Sequence, residues 1–237
     1  MDIEYTLAPA TDVPGEVHDV KRALIWLKQN AAAYDINPER IVLIGGSAGG
    51  HLALLAAYTP NDPALQPDGS TIDTSVRAVV SFYGPTDFLD VYDDVERTRL
   101  RLTKRKRIRP YGALVESLLR LSGLVPPGTP IESAGNYVAH LLGAEPSERI
   151  DLYQQLSPAA RVGPHCPPTL LLQGSDDVFG LAPGVRRLHE SLRSAGVPSA
   201  LLEFPHTEHG FDLLLPHISP ATRTATHGVE QFLAWLE

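Results

Sequence analysis

Cysteine is nearly absent, with Cys166 alone among 237 residues. No internal disulfide can form, so nothing in the sequence argues for an oxidising compartment. Positive charge is also scarce: 20 Lys and Arg stand against 28 Asp and Glu, a net charge of −8 that repels nucleic acid on average. No run approaches the roughly 20 apolar residues that a membrane-spanning helix needs. The first residues, MDIEYTLAP, have neither the charged lead nor the apolar core of a secretory signal. Cytoplasmic residence is the expectation, with any export or anchoring information lying elsewhere. Glycine-rich phosphate cradles and clusters with metal-ligand spacing are missing too, and no cofactor or metal is inferred.

What is present is a hydrophobic content of 43%, ample for one buried core. Apolar runs alternate with helical periods, which predicts an α/β fold with a mostly parallel sheet flanked by helices in a single domain, 1–237. Strands are expected at 2–6, 40–45, 76–84, 168–173 and 199–204. Helices are expected at 15–33, 48–58, 184–195 and 221–236. Between 90 and 140 the alternation fails, and the segment is too long for a plain loop. It reads as a small helical, cap-like insertion over one end of the sheet. Eight of the 20 basic residues fall at 97–109 with no acid among them. That stretch reads as a solvated helix face or loop. Weak contact with anionic lipid head groups or a partner is its alternative reading.

Between the strand at 40–45 and the helix after it lies Gly45-Gly46-Ser47-Ala48-Gly49, a GxSxG pattern in a strand-turn-helix setting. Small flanking residues allow a sharp reversal that lifts Ser47 clear of the sheet end, and the helix beginning there aims its N–H groups at any oxyanion formed. A serine hydroxyl is a weak nucleophile, so this reading needs a base and an acid to orient the base. Asp176 and Asp177 follow one later strand, and His206 and His209 follow the next. Asp177 and His209 are preferred, with Asp176 and His206 read as supporting or surface residues. His51, four residues after the serine on the same helix, reads as a packing residue.

At these residues the chain resembles the α/β-hydrolase superfamily, most closely the bacterial hormone-sensitive-lipase-like esterases and acetyl esterases. The resemblance rests on EYTLAP (4–9), DINPERIVLIGGSAGGHLAL (35–54), VVSFYGPTDF (79–88), LLLQGSDD (170–177) and HGFD (209–212). It implies Ser47 as nucleophile, Asp177 as acid, His209 as base and an oxyanion N–H from Ala48. It further implies a carboxylic ester hydrolase with small-molecule substrates of short acyl chain. Amide hydrolysis of the prolyl-oligopeptidase or kynurenine-formamidase type keeps the fold and changes the bond.

Three features depart from the family. Thr6 stands where arginine is usual, and Gln173 stands where histidine is common before the acid. The family's HGGG-type oxyanion loop precedes the segment matching EYTLAP, and here only three residues do. The sequence therefore reads as an amino-terminally incomplete version of a longer domain. The strand feeding that loop would lie between those matching 2–6 and 40–45, so two unpaired edges are expected, which invite a second chain and make a homo-oligomer an open expectation. Losing one oxyanion donor costs roughly 2.7–4 kcal/mol in the transition state. A catalytically impaired or ligand-binding homologue is therefore the remaining alternative.

Overall fold

The computed structural model describes residues 1–104, 120, 136–213 and 218–237, with the backbone alone at 68 and 98–104. Four parallel strands form one sheet in sequential order: β1 (Val42–Gly46), β2 (Ala78–Phe82), β3 (Thr169–Gly174) and β4 (Ser199–Phe204). The register is continuous, with Leu43 opposite Val79, Val80 opposite Leu170, and Leu171 opposite Leu201. Three crossovers in one direction bring the carboxyl ends of all four strands to the same edge. In open parallel sheets that edge is where ligands and reacting groups collect.

Side-chain alternation along the strands supplies both faces with a core. Val79 and Leu171 enter one cluster with residues of helices α1 (Val13–Asn30), α2 (Ala48–Tyr58) and α6 (Ala182–Ser194). Ala78, Val80, Leu170 and Leu172 enter the other, against Ala225 and Phe232 of α7 (Pro220–Trp235). Helix α2 is buried around nearly its whole girth, from Gly50 to Tyr58, which is why its sequence lacks a polar stripe. Each fully buried leucine there, such as Leu54 or Leu55, contributes roughly 1.5–3 kcal/mol.

Helix α1 starts two residues before its expected position because Asp12 caps it, its side chain accepting from the Gly15 N–H at 2.9 Å. It ends at Asn30, and the expected last turn is a 3-10 segment, Ala31–Tyr34. Its buried stripe runs Val13, Val17, Val20 and Leu24, with Lys21 fully buried beside them. The Lys21 ammonium donates to the Thr59 carbonyl, and burial holds its pKa down to about 8.

The strand expected at 2–6 does not form; residues 1–7 have no regular structure. Alternation alone makes no strand without a ladder, and among the described residues no strand lies beside this segment. Its amides turn instead to α1: Thr6 N–H donates to Asp19 Oδ2 at 2.9 Å, and Ala8 N–H to Glu16 Oε1 at 3.3 Å. Among the described residues β1 pairs only with β2, which makes it an edge strand there, with Ile44 52% exposed. The expected insertion overlaps α3 (Phe88–Lys104) and the start of α4 (Tyr137–Leu142), and α5 (Pro146–Gln155) follows it. Residues 105–119 and 121–135, which include 105–109 of the basic stretch, lie outside the described residues. Among the described residues, no helix is long and apolar enough to cross a membrane.

Glu16 carries a pH-dependent cost. Burial, with Asp12 and Asp19 nearby, pushes its carboxyl up to about 7 despite the offsetting bond from the Ala8 amide. An unfolded glutamate titrates near 4.3, so the folded chain holds this proton more tightly, and stability present at low pH is lost as pH rises through 7. Glu16→Gln keeps an acceptor for Ala8 and removes the ionisation. The variant's melting temperature should exceed wild type at pH 8 and converge with it towards pH 4; a difference constant with pH would contradict this account.

Candidate active site

Ser47 stands at the junction of β1 and α2 with φ 54° and ψ −122°, outside the regions ordinary residues occupy. Two backbone hydrogen bonds hold it there: Ser47 N–H donates to the Phe82 carbonyl at 2.9 Å, and the Ser47 carbonyl accepts from His51 N–H at 3.0 Å. The turn is this tight because β1 and α2 nearly touch. A Cβ at Gly45 would lie 2.2 Å from the Gly49 carbonyl oxygen, and one at Gly50 2.7 Å from Ser81 Oγ. Gly49 meets nothing within 4 Å, so the first glycine of the GxSxG pattern serves this close approach and the last does not.

The loop after β3 carries Asp177, whose side chain is 1% exposed. Its Oδ1 accepts from the Phe179 N–H at 2.9 Å, and its Oδ2 accepts from Gln173 Nε2 at 2.8 Å and faces His209 Nδ1 at 2.9 Å. His209, on the loop after β4, sets Nε2 2.9 Å from Ser47 Oγ. An ionised carboxylate can only accept, so Nδ1 carries the proton and Nε2 is left to receive one from the serine. Three residues separated by 130 and 32 positions thus form one hydrogen-bonded line.

The structure leaves the alternatives aside. Asp176 and His206 face each other at 3.5 Å with side chains 55% and 93% exposed, away from the serine. His51 is buried against Phe88, with ring centroids 4.5 Å apart and Nδ1 2.9 Å from the Pro85 carbonyl. Burial holds its pKa down to about 4, so it stays neutral and packs. Ala48 is the first residue of α2, where the opening amides of a helix have no intrahelical acceptor.

Sequence reasoning missed the walls of the imidazole. The rings of Tyr83 and Phe179 lie 4.5 Å and 4.7 Å from His209, centroid to centroid. Tyr83 has φ 40°, and its phenol donates to Asp212 Oδ1, tying the end of β2 to the histidine loop. Burial first, then the Asp212 carboxylate, raises the Tyr83 pKa, so the phenol keeps its proton. Both residues stood inside recognised stretches, FYG and HGFD; the signal was there without a contact to interpret it. Phe179 also borders a cavity of about 210 Å³ whose polar walls include Asp87, Asp90, Asp94 and Arg187.

A model of the BD-FAE family matches residues 1–115. The probable carboxylic ester hydrolase LipM of Mycobacterium tuberculosis is 34% identical over 234 residues, 98% of this chain and 46% of that protein. Esterase LipQ of the same organism is 30% identical, again over 98% of this chain and 47% of its own length. Among solved structures, Thermogutta terrifontis esterase Est2 is similar with a TM-score of 0.67 at 22% identity, covering 98% of this chain and 69% of that one. An acetyl ester-xyloside bifunctional hydrolase from Caldicellulosiruptor lactoaceticus gives a TM-score of 0.64 at 22% identity, covering 96% and 69%. The fold is that of an α/β-hydrolase. The chain spans about half the length of the two mycobacterial relatives.

The crossing at Gly45 is open to direct test. A methyl group driven against backbone cannot be relieved by a rotamer change, so Gly45→Ala should lose at least the roughly 1–3 kcal/mol of an overpacked core site. Urea denaturation should show an earlier midpoint; an unchanged midpoint would mean that β1 and α2 are not in this contact.

Proposed function

We propose that the chain hydrolyses carboxylic esters of small molecules through an acyl-enzyme on Ser47. The observation that carries this reading is the line Asp177, His209, Ser47, with 2.9 Å at each junction, ending on a serine in a strained turn. Ser47 Oγ attacks the ester carbonyl as His209 Nε2 takes its proton. Asp177, held by two further donors, stabilises the imidazolium that results. The tetrahedral oxyanion is met by the Ala48 N–H and the positive end of α2. Collapse breaks the bond to the leaving alkoxide, which takes the proton from His209. A water then repeats the sequence on the acyl-serine, releasing the acid and restoring the hydroxyl.

The relatives LipM and LipQ carry ester-hydrolase names, which supports this bond over an amide. Short acyl chains are the class to try first, because the sequence resemblance is to short-chain esterases. With p-nitrophenyl acetate and butyrate, Ser47→Ala should lower turnover at least about 10⁴-fold, towards the uncatalysed rate. Asp177→Asn should lower kcat by a comparable factor, because an amide at that position favours the wrong imidazole tautomer. Turnover by Ser47→Ala equal to wild type would remove the serine from the mechanism, and preference for aminoacyl amides or N-formylkynurenine would change the bond assigned.

A further inference from the structure

We propose that Gln173 is a positioning residue for the acid and imidazole pair, its side-chain amide holding the carboxylate oxygen of Asp177 that faces His209. This rests on the reading of Ser47, His209 and Asp177 given above. Gln173 is the penultimate residue of β3 and is 1% exposed. Its Nε2 lies 2.8 Å from Asp177 Oδ2 and 3.0 Å from the Gly174 carbonyl oxygen. Both neighbours are acceptors only, so the amide orientation follows from chemistry: reversing it would set its oxygen against a carboxylate and a carbonyl.

The other end of the amide supplies the second observation. Gln173 Oε1 is buried and has no hydrogen-bond partner among the described residues. An orphaned buried acceptor is unfavourable, and leucine or methionine would fill much the same space without one. Packing therefore does not explain glutamine here, whereas the donated N–H does. Phe179 N–H holds Oδ1 from the loop, and Gln173 holds Oδ2 from the strand. Together they prevent the carboxylate from turning about its last bond, and Oδ2 stays in line with His209 Nδ1. Without Gln173, Oδ2 would keep only His209, and the carboxylate charge would be less dispersed and would draw more strongly on the imidazolium.

Removing the donor should therefore raise the His209 pKa as well as loosen its aim. The other titratable groups around the pair are Tyr83 with Asp212, Tyr137, Glu208 and, beyond Tyr137, Asp94; none is altered by the substitution. Since the base must be neutral, a raised pKa moves the acid limb of the kcat/KM profile to higher pH.

The experiment compares Gln173→Leu, Gln173→Glu and Gln173→His with wild type, by p-nitrophenyl acetate kinetics from pH 5 to 9 and by NMR titration of the His209 ring, assigned with His209→Gln. Gln173→Leu should lower kcat about 10- to 100-fold, the loss of one hydrogen bond to a charged group, with KM within about twofold. Its acid limb and its His209 midpoint should both move up. Gln173→Glu should move them further, because a second carboxylate beside Asp177 adds negative charge as it ionises. Gln173→His, which restores a ring N–H donor, should recover most of the lost kcat. A folded Gln173→Leu with kcat within twofold of wild type and an unmoved midpoint overturns the proposal. If that variant does not fold, an unmoved limb and midpoint in Gln173→Glu overturns it instead. The NMR titration needs no turnover: a wild type lacking Ser47-dependent hydrolysis defeats the esterase reading, while the midpoint still tests Gln173.

Discussion

The near contact of β1 and α2 at Gly45 and Gly49 governs the geometry of everything around it. Because these backbones meet where a Cβ would not fit, the intervening residues reverse direction within one turn, and Ser47 takes a positive φ. Strain of that kind persists only where the surroundings over-determine it. Here they do, through the Phe82 and His51 hydrogen bonds and an α2 buried from Gly50 to Tyr58 that cannot shift to relieve it. Ser47 is thus placed by main chain, and its position tolerates little adjustment.

The imidazole is placed by different means. His209 sits on a loop, not at a helix or strand end, and its location follows from side chains on three other segments. Tyr83 and Phe179 wall its faces, Asp177 takes its Nδ1–H, and the Tyr83 phenol anchors the loop through Asp212. Burying the Asp177 carboxylate would be costly without compensation, and the compensation is a full set of donors from a backbone amide, a side-chain amide and the imidazole. The donors that offset burial of the charge also fix its direction.

This division explains how much was legible beforehand. Features set by local backbone chemistry could be read directly: the turn at Ser47 from its small neighbours, and the covered strands from their continuous apolar runs. Asp177 and His209 were readable because each follows such a strand. Features that need a partner distant in sequence were not. DIEYT alternates as a strand should, yet a strand exists only as a ladder, and its amides bond to Asp19 and Glu16 instead. Tyr83 and Asp212 are 129 positions apart, and nothing local in either indicates the other. Gln173 read as a tolerated departure from a family pattern; only its contact with Asp177 gives it a role.

The same division bears on where reactivity in such a site can be adjusted. Changes at the β1–α2 crossing act on backbone and displace Ser47 outright, so their effects should be close to all or none. Changes in the side chains that surround His209 and Asp177 alter the setting of the imidazole by degrees, because each donor or ring contributes a fraction of the local field. The carboxyl ends of β2 and β3, which supply Tyr83 and Gln173, are therefore the elements through which this fold can adjust the setting of His209 without moving Ser47.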